Sequence, residues 1–297
     1  MKKYILIALA LSLSCKAVNQ QNTMEAQFPD FSAEAHRGGR GLMPENTIIA
    51  MLDAMNYPQI TTLEMDTHIT KDNQVVVTHD DYLSPGFMLT PEGKEIPASD
   101  AKKYAVYQMD YKYLKTFDIG TKVNVGFKQQ KKIKTYVPLL ADLIDSVQKE
   151  IKLKGKKQLF YNIETKCAPA GDNVVNPTPD VFVKLLMDVI EKKKIIPFVV
   201  IQSFDKRTIQ LINQKYPKVK TSFLVANKKS YAENIADLGY KPFILSPEWK
   251  TVTAELVKSA HADGVKIIPW TVNTVEDINK LKALKVDGII TDYPNLF

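Results

Sequence analysis

Seven short stretches of the chain end in side chains that could do chemistry. One runs into Ala35-His36-Arg37-Gly38-Gly39-Arg40-Gly41, a second carries Glu64 and Asp66, and a third ends His79-Asp80. A fourth reads Asn162-Ile163-Glu164-Thr165-Lys166; the others end Gln202-Ser203-Phe204, Trp270-Thr271-Val272-Asn273 and Thr291-Asp292. Glu64 and Asp66 stand two residues apart, as do Glu164 and Lys166, so in a strand each pair projects from one face. A single Glu near a strand end is ordinarily a surface residue or a helix cap. Three acids, two histidines, an arginine and a lysine at convergent strand ends are different, because charges facing a buried interior are costly unless paired or bound to metal. Together they mark a polar site.

Such a site needs a scaffold that gathers strand ends. Apolar and β-branched runs near 33–36, 61–67, 74–79, 158–164, 198–203, 220–225, 243–246, 265–270 and 287–291 read as strands. Segments of helical periodicity at about 45–56, 138–152, 180–193, 205–215, 230–238, 253–263 and 275–284 fall between most of them. This alternation predicts parallel strands joined by helical crossovers. Nine strands are one too many for an eightfold barrel. The link between the second and third runs, with Lys71-Asp72-Asn73 at its tip, is too short for a crossover, which needs a dozen or more residues. Run 74–79 is therefore expected to fold back antiparallel, as a hairpin arm outside the ring. That leaves eight strands and an α/β fold, a (β/α)8 TIM-type barrel whose site lies at the C-terminal strand ends. No helix-length segment follows the last strand. Stretch 82–135, rich in Lys and Tyr and holding Pro85, Gly86, Pro91, Gly93 and Pro97, reads as a small, partly irregular insertion over the mouth, after the second barrel strand and its arm.

Composition sets the outer limits. Hydrophobic residues make up 45% of the 297 and charged residues 25%, which excludes a disordered or fibrous chain. No apolar run reaches the ~18 residues that span a bilayer, which excludes a multi-pass membrane protein. The 40 Lys and Arg exceed the 33 Asp and Glu, for a net charge of +7. Much of the excess lies in stretches such as 128–134 and 152–157. Basic surfaces suit nucleic acid, anionic lipid or an anionic small substrate, and solvated lysines on helix faces account for the charge equally well. No nucleic-acid motif accompanies it. The N-terminus reads as an export signal over residues 1–17: Lys2 and Lys3, an apolar core from Ile5 to Leu13, then Ser14-Cys15. A Cys directly after such a core predicts a bacterial lipoprotein, lipidated at Cys15 and held in the cell envelope or periplasm; ordinary cleavage after Ala17 is the rival. Residues 18–30 read as a polar tether and 31–297 as the barrel. Cys167 is the only other cysteine and is expected to be a packed residue.

The chain resembles the glycerophosphodiester phosphodiesterase family. The resemblance rests on HRGGRGLMPENT at 36–47, LEMDTHITKDNQVVVTHD at 63–80, NIETK at 162–166, QSF at 202–204, WTVN at 270–273 and DGIITDYP at 287–294. These run in the family's order over nearly all the chain after residue 33. The resemblance implies His36 and His79 as general acid and base and Glu64, Asp66 and Glu164 as metal ligands. It implies Arg37 as the phosphate holder with help from Lys166, Trp270 against the alcohol part of the substrate, and Glu45, Asn46 and Gln202 in support, with Glu45 near the metal. Three carboxylates without Cys or clustered His suit a hard cation, Ca²⁺ or Mg²⁺. Histidine is the side chain best placed to move protons near neutral pH, and the Arg fork matches two phosphate oxygens better than Lys would.

The remaining residues have plainer readings. His68 shares strand parity with Glu64 and Asp66 and is expected to lie past the mouth. His261 is a surface or packing residue of a helix. Asp80 orients His79 or caps a turn. The function expected is metal-dependent hydrolysis of small glycerophosphodiesters to glycerol 3-phosphate and an alcohol, with a membrane contact only through the lipid anchor and no nucleic-acid partner. Cleavage of a lysophospholipid or another phosphodiester is the nearest alternative. A metal-dependent amidohydrolase would need a His-x-His pair where the chain has His36-Arg37, and a non-catalytic envelope binding protein would be expected to lack some of the two histidines and three acids.

Overall fold

The computed structural model describes residues 26–297; the export signal, Cys15 and most of the stretch read as a tether lie outside the described residues. Nine strands make one sheet: β1 (Ser32–Ala35), β2 (Thr62–Ile69), β3 (Val75–Val77), β4 (Phe160–Thr165), β5 (Val199–Ser203), β6 (Lys220–Val225), β7 (Ile244–Pro247), β8 (Lys266–Ile267) and β9 (Gly288–Thr291). Eight are parallel, in the spatial order β8-β7-β6-β5-β4-β2-β1-β9. β3 folds back antiparallel on β2, with Thr67 opposite Val77, as the short link requires. The strand predicted at 265–270 is regular only over Lys266–Ile267, and Pro269 has no N–H to continue the ladder. The ring is nonetheless nearly closed across this edge. Asp287 N–H donates to Ile267 (2.8 Å), Ile290 N–H to Pro269 (3.0 Å) and Val272 N–H to Ile290 (2.9 Å).

Seven helices make the crossovers: α1 (Ile48–Ala54), then α3 (Leu140–Lys154), α4 (Pro179–Lys193), α5 (Lys206–Lys215), α6 (Tyr231–Leu238), α7 (Ala254–Ala262) and α8 (Val275–Ala283). The short α2 (Tyr111–Leu114) belongs to the insertion. Helix α3 shows why they form: Leu140, Leu143, Ile144 and Val147 fall on one face and are buried, the 3.6-residue periodicity of a core-facing helix. At the strand-to-helix turns Thr47, Asp205, Ser230, Thr253 and Thr274 cap the free helical N–H groups with side-chain oxygens. The strands' outward residues, among them Ala33, Leu63, Met65, Tyr161, Ile163, Ile201, Leu245 and Ile289, join the helices in the main core. No helix among the described residues is long and apolar enough to cross a membrane.

The barrel interior is divided. Phe160, Val200, Ile244, Ile268 and Ile290 form an apolar cluster, and Phe28 packs against it. Phe28 lies inside the stretch read as a solvated tether, but its ring sits edge-on to Phe160 (5.0 Å) and Phe243 (5.1 Å), so the packed chain begins before residue 31. Beside this cluster Ser32, Glu34, Thr62, Asn162 and Gln202 are all buried and polar. The insertion has its own core of Leu83, Met88, Ile96, Val106, Met109, Leu114, Phe117 and Ile119, resting on Val76 of β3 and on Val137.

Candidate active site

Glu64 and Asp66 on β2 and Glu164 on β4 are brought together by strand register, Asp66 opposite Glu164. All three are buried, and one oxygen from each lies within 4.8 Å of the others. Burial, then Asp66 and Glu164 nearby, push Glu64 well above the usual carboxylate range; burial, partly offset by Lys166, pushes Glu164 up to about 7. Burial acts the same way on Asp66, but Arg37 and Lys166 outweigh it and hold that carboxyl down. Asp66 Oδ1 is buried without a hydrogen-bond donor. A buried carboxylate oxygen with no hydrogen bond and only a distant lysine (Lys166 Nζ, 3.8 Å), inside a cluster of crowded acids, is what a divalent cation would satisfy. The donor set is all oxygen, so the residues fit a hard cation.

The segment after β1 sets the rest. The backbone turns left-handed at Arg37 (φ 52°), Gly38 (φ 77°) and Gly39 (φ 88°). At Gly38 a Cβ would come within 2.8 Å of Ala50 Cβ, so only glycine lets α1 approach this closely. The turn aims Arg37 N–H at Glu64 Oε2 (2.7 Å). Arg37 Nη1 donates to Glu45 Oε1 (2.8 Å). Its Nε lies 3.2 Å from Asp66 but is not aligned to bond it, and so remains a free donor. Asn46 and Asp66 bond twice, Asn46 Nδ2 to Asp66 Oδ2 (2.8 Å) and Asp66 N–H to Asn46 Oδ1 (3.2 Å). Glu45 thus braces Arg37 rather than joining the three clustered acids.

His36 meets Asp292, from the end of β9, at 2.6 Å through Nδ1. Arg40 Nε (2.6 Å) and Asn273 Nδ2 (2.7 Å) also donate to Asp292. Burial favours a neutral Asp292, but His36 and Arg40 outweigh it and keep the carboxyl below its usual range. An ionised Asp292 fixes the hydrogen of a neutral His36 on Nδ1 and leaves the Nε2 lone pair free, 4.0 Å from Glu64 Oε2. Burial lowers His36 to about 4 despite Asp292, so its ring is neutral near pH 7. His79 follows β3 on the hairpin arm and bonds Asp80 Oδ1 through Nδ1 (2.6 Å). Asp80 therefore orients His79, and the hydrogen bond from His79 holds the Asp80 carboxyl below its ordinary value.

His68 differs from its expected place past the mouth. It is fully buried, because β3 pairs with β2 alongside it, His68 opposite Val76. Its Nε2 lies 3.0 Å from the carbonyl oxygen of His79, which makes it a prop for that residue's backbone. His261 is half exposed and bonds Asp287 (2.8 Å). Cys167 is buried, and the low-dielectric surroundings push its thiol up to about 12, away from reactivity.

A cleft of about 120 Å³ lies over the acids, lined by His36, Arg37, Glu64, His79, Glu164, Lys166, Gln202 and Trp270. Lys166 Nζ donates to Glu164 Oε1 (3.0 Å). Trp270 Nε1 donates to Ser246 (2.9 Å), and its ring meets Phe204 edge-on at 5.4 Å, an apolar wall on one side. Below the acids runs a buried chain of amides. Gln202 Nε2 donates to Glu64 Oε1 (2.7 Å), and Asn162 Nδ2 reaches both Gln202 (3.1 Å) and Glu34 (2.8 Å). Sequence reasoning singled out Asp292 and Asn273 only as polar residues at strand ends and passed over Arg40 and Glu34. The signal for Glu34 was strand parity, since it precedes His36 by two residues.

Comparison with known proteins places these features among relatives. The profile of the glycerophosphoryl diester phosphodiesterase family matches residues 36–296. A glycerophosphodiester phosphodiesterase of Bacillus altitudinis is 29% identical over 265 residues, 88% of this chain and 94% of that protein. A solved Silicibacter pomeroyi DSS-3 protein, provisionally described as a glycerophosphoryl diester phosphodiesterase, superposes with a TM-score of 0.79 at 26% identity, covering 92% of this chain and 93% of that one. An Oleispira antarctica phosphodiesterase in complex with the product sn-glycerol-3-phosphate shares the fold at a TM-score of 0.68 and 20% identity, over 89% of this chain and 93% of that one.

Proposed function

The chain belongs to the glycerophosphoryl diester phosphodiesterase family, and from that premise we propose that it hydrolyses glycerophosphodiesters to glycerol 3-phosphate and an alcohol. His36 and His79 move the protons, and Glu64, Asp66 and Glu164 hold a divalent cation, Ca²⁺ or Mg²⁺. The observation that carries the reading is that two carboxylate-oriented histidines line one cleft with two of three clustered acids.

Each group has a task suited to its surroundings. Arg37, braced by Glu45 and with donors to spare, binds the phosphate oxygens. Lys166 stays protonated beside Glu164 and Asp66, whose charges outweigh the effect of burial, and adds a second positive charge. His36, neutral and tethered through Nδ1, accepts or returns a proton at Nε2. His79 does the converse from the arm. Trp270 and Phe204 cover the leaving alcohol. A bound divalent cation supplies neutralisation of phosphate charge and lowers the pKa of a coordinated hydroxyl.

The cation can be tested without turnover. Both oxygens of Glu64 accept N–H bonds, so Glu64→Gln would turn an amide donor toward a donor. Among the described residues the Glu164 carboxylate accepts a hydrogen bond from Lys166 alone, which makes Glu164→Gln the cleaner variant. Titration calorimetry with Ca²⁺ and Mg²⁺ is expected to show binding weakened at least ~10-fold, with melting temperature held or raised because a crowded charge is gone. Unchanged affinity for both ions would remove the acid cluster from the metal site.

For localisation, the Lys2-Lys3 start, the apolar core and Cys15 support an exported protein held by lipid at that cysteine. Cys15→Ser in the native host should release the protein from the membrane fraction. A variant as membrane-bound as its parent would rule the anchor out.

A further inference from the structure

The end of the barrel opposite the cleft is also organised. Five loops that lead from a helix into a strand each carry an exposed lysine: Lys157 before β4, Lys194 before β5, Lys218 before β6, Lys241 before β7 and Lys285 before β9. A lysine in the last turn of a helix is accounted for by the negative helix C-terminus. These five stand at or beyond the helix ends. Lys241 pairs with Asp263 (2.9 Å); among the described residues the other four make no ion pair. Between the starts of β5 to β8 lies a cleft of about 960 Å³, lined by Lys194, Lys218, Lys220 and Lys241 against two acids, Glu191 and Asp263, with Pro197 and Phe243.

The chain enters the barrel at this same end. Phe28 is seated against Phe160 and Phe243, with Lys266 Nζ 5.9 Å from its ring centre. The described chain thus begins at the lysine-bearing face, where Ala26 packs on the same cluster, and the catalytic cleft opens at the other end of the barrel. We propose that this N-terminal face of the barrel docks on an anionic phospholipid bilayer, lysines against the headgroups, with the active-site mouth turned to the aqueous side. Charge supplies the complementarity, and the point where the described chain begins supplies the orientation. Ala26, at this face, follows the proposed anchor Cys15 by eleven residues in the sequence. The lysine contact stands without that anchor, since several basic residues near an anionic surface bind it by themselves.

The test uses the full-length Cys15→Ser chain, which cannot be acylated there, sedimented with phosphatidylcholine vesicles with and without phosphatidylglycerol. Binding should require phosphatidylglycerol and fall as salt rises. Converting Lys194, Lys218, Lys241 and Lys285 to Gln should lower partitioning on the order of 10²–10³-fold, at roughly fivefold per lysine. Hydrolysis of a soluble glycerophosphodiester should be unaffected, and sedimentation reads the surface even if that substrate proves wrong. Converting the exposed Lys128, Lys132 and Lys134 of the insertion to Gln should leave binding intact. The proposal is overturned if both vesicles bind alike, if the four-lysine variant binds as before, or if the insertion variant is the one that loses binding. It is equally overturned if the face mediates association of two chains, seen as a dimer that the four-lysine variant abolishes while vesicle binding persists.

Discussion

A substrate analogue in which the free hydroxyl beside the phosphate ester is replaced by hydrogen should turn over on the order of 10⁵-fold more slowly, or worse, while still binding. In a glycerophosphodiester that hydroxyl lies on the carbon next to the esterified one. In the proposed reaction its oxygen would attack phosphorus, forming the new P–O bond of a five-membered cyclic phosphate as the P–O bond to the alcohol breaks. One histidine takes the hydroxyl proton and the other gives a proton to the departing alkoxide. Water then opens the ring with the two roles reversed, leaving glycerol phosphate and restoring both histidines. Intramolecular attack in good geometry removes about 7–11 kcal/mol of barrier relative to a separate nucleophile, and 7 kcal/mol is about 10⁵-fold in rate. Binding is retained because Arg37 and Lys166 address the phosphate and not the hydroxyl. Paired measurements of kcat and of the analogue's inhibition constant check this. Hydrolysis of the analogue at the parent's rate would mean that water attacks phosphorus directly.

His36→Ala and His79→Ala should each cost about 10²–10⁴-fold in kcat, the range for removal of a positioned acid or base. The double variant should fall short of the product of the two losses, because both act in the same pair of transfers. Asp292→Asn provides the finer reading. It keeps shape and removes the charge that fixes the hydrogen of His36 on Nδ1, so kcat should fall with KM little changed. Arg40 shares Oδ1 with His36 while Asn273 donates to Oδ2, so the variant also loses one of these acceptors and the charge facing Arg40, and a melting curve separates that loss from catalysis. A His36 variant with wild-type kcat would take the residue out of the chemistry.

Much of this was legible in the chain. The short link between runs 61–67 and 74–79 could not hold a crossover, and that fixed β3 as an arm and the ring at eight. Two-residue spacing placed Glu64 with Asp66 and Glu164 with Lys166, and the family resemblance joined Glu164 to the first pair. What could not be read was which side chains meet where the ring closes, β1 against β9. Asp292 lies 256 residues from His36, and local pattern carries no information on which strand end leans toward which. His68 was misjudged because strand twist was weighed without the arm that covers it. Phe28 was misjudged because one aromatic among polar residues gives no periodicity. The insertion's core was hidden because its apolar residues, from Leu83 to Ile119, follow neither a period of two nor of 3.6, and only the folded chain brings them onto Val76.

The pairing of His36 with Asp292 also has a meaning in time. A chain is made from its N-terminus, so His36 exists long before the aspartate that orients it. Until β9 has slotted between β1 and the eighth strand, the imidazole has no fixed hydrogen and the phosphate site no finished rim. A nascent or partly threaded chain would carry all three clustered acids and still lack the carboxylate that orients His36. Catalytic competence would therefore arrive abruptly, with ring closure, which confines the activity to whichever compartment the chain completes its folding in.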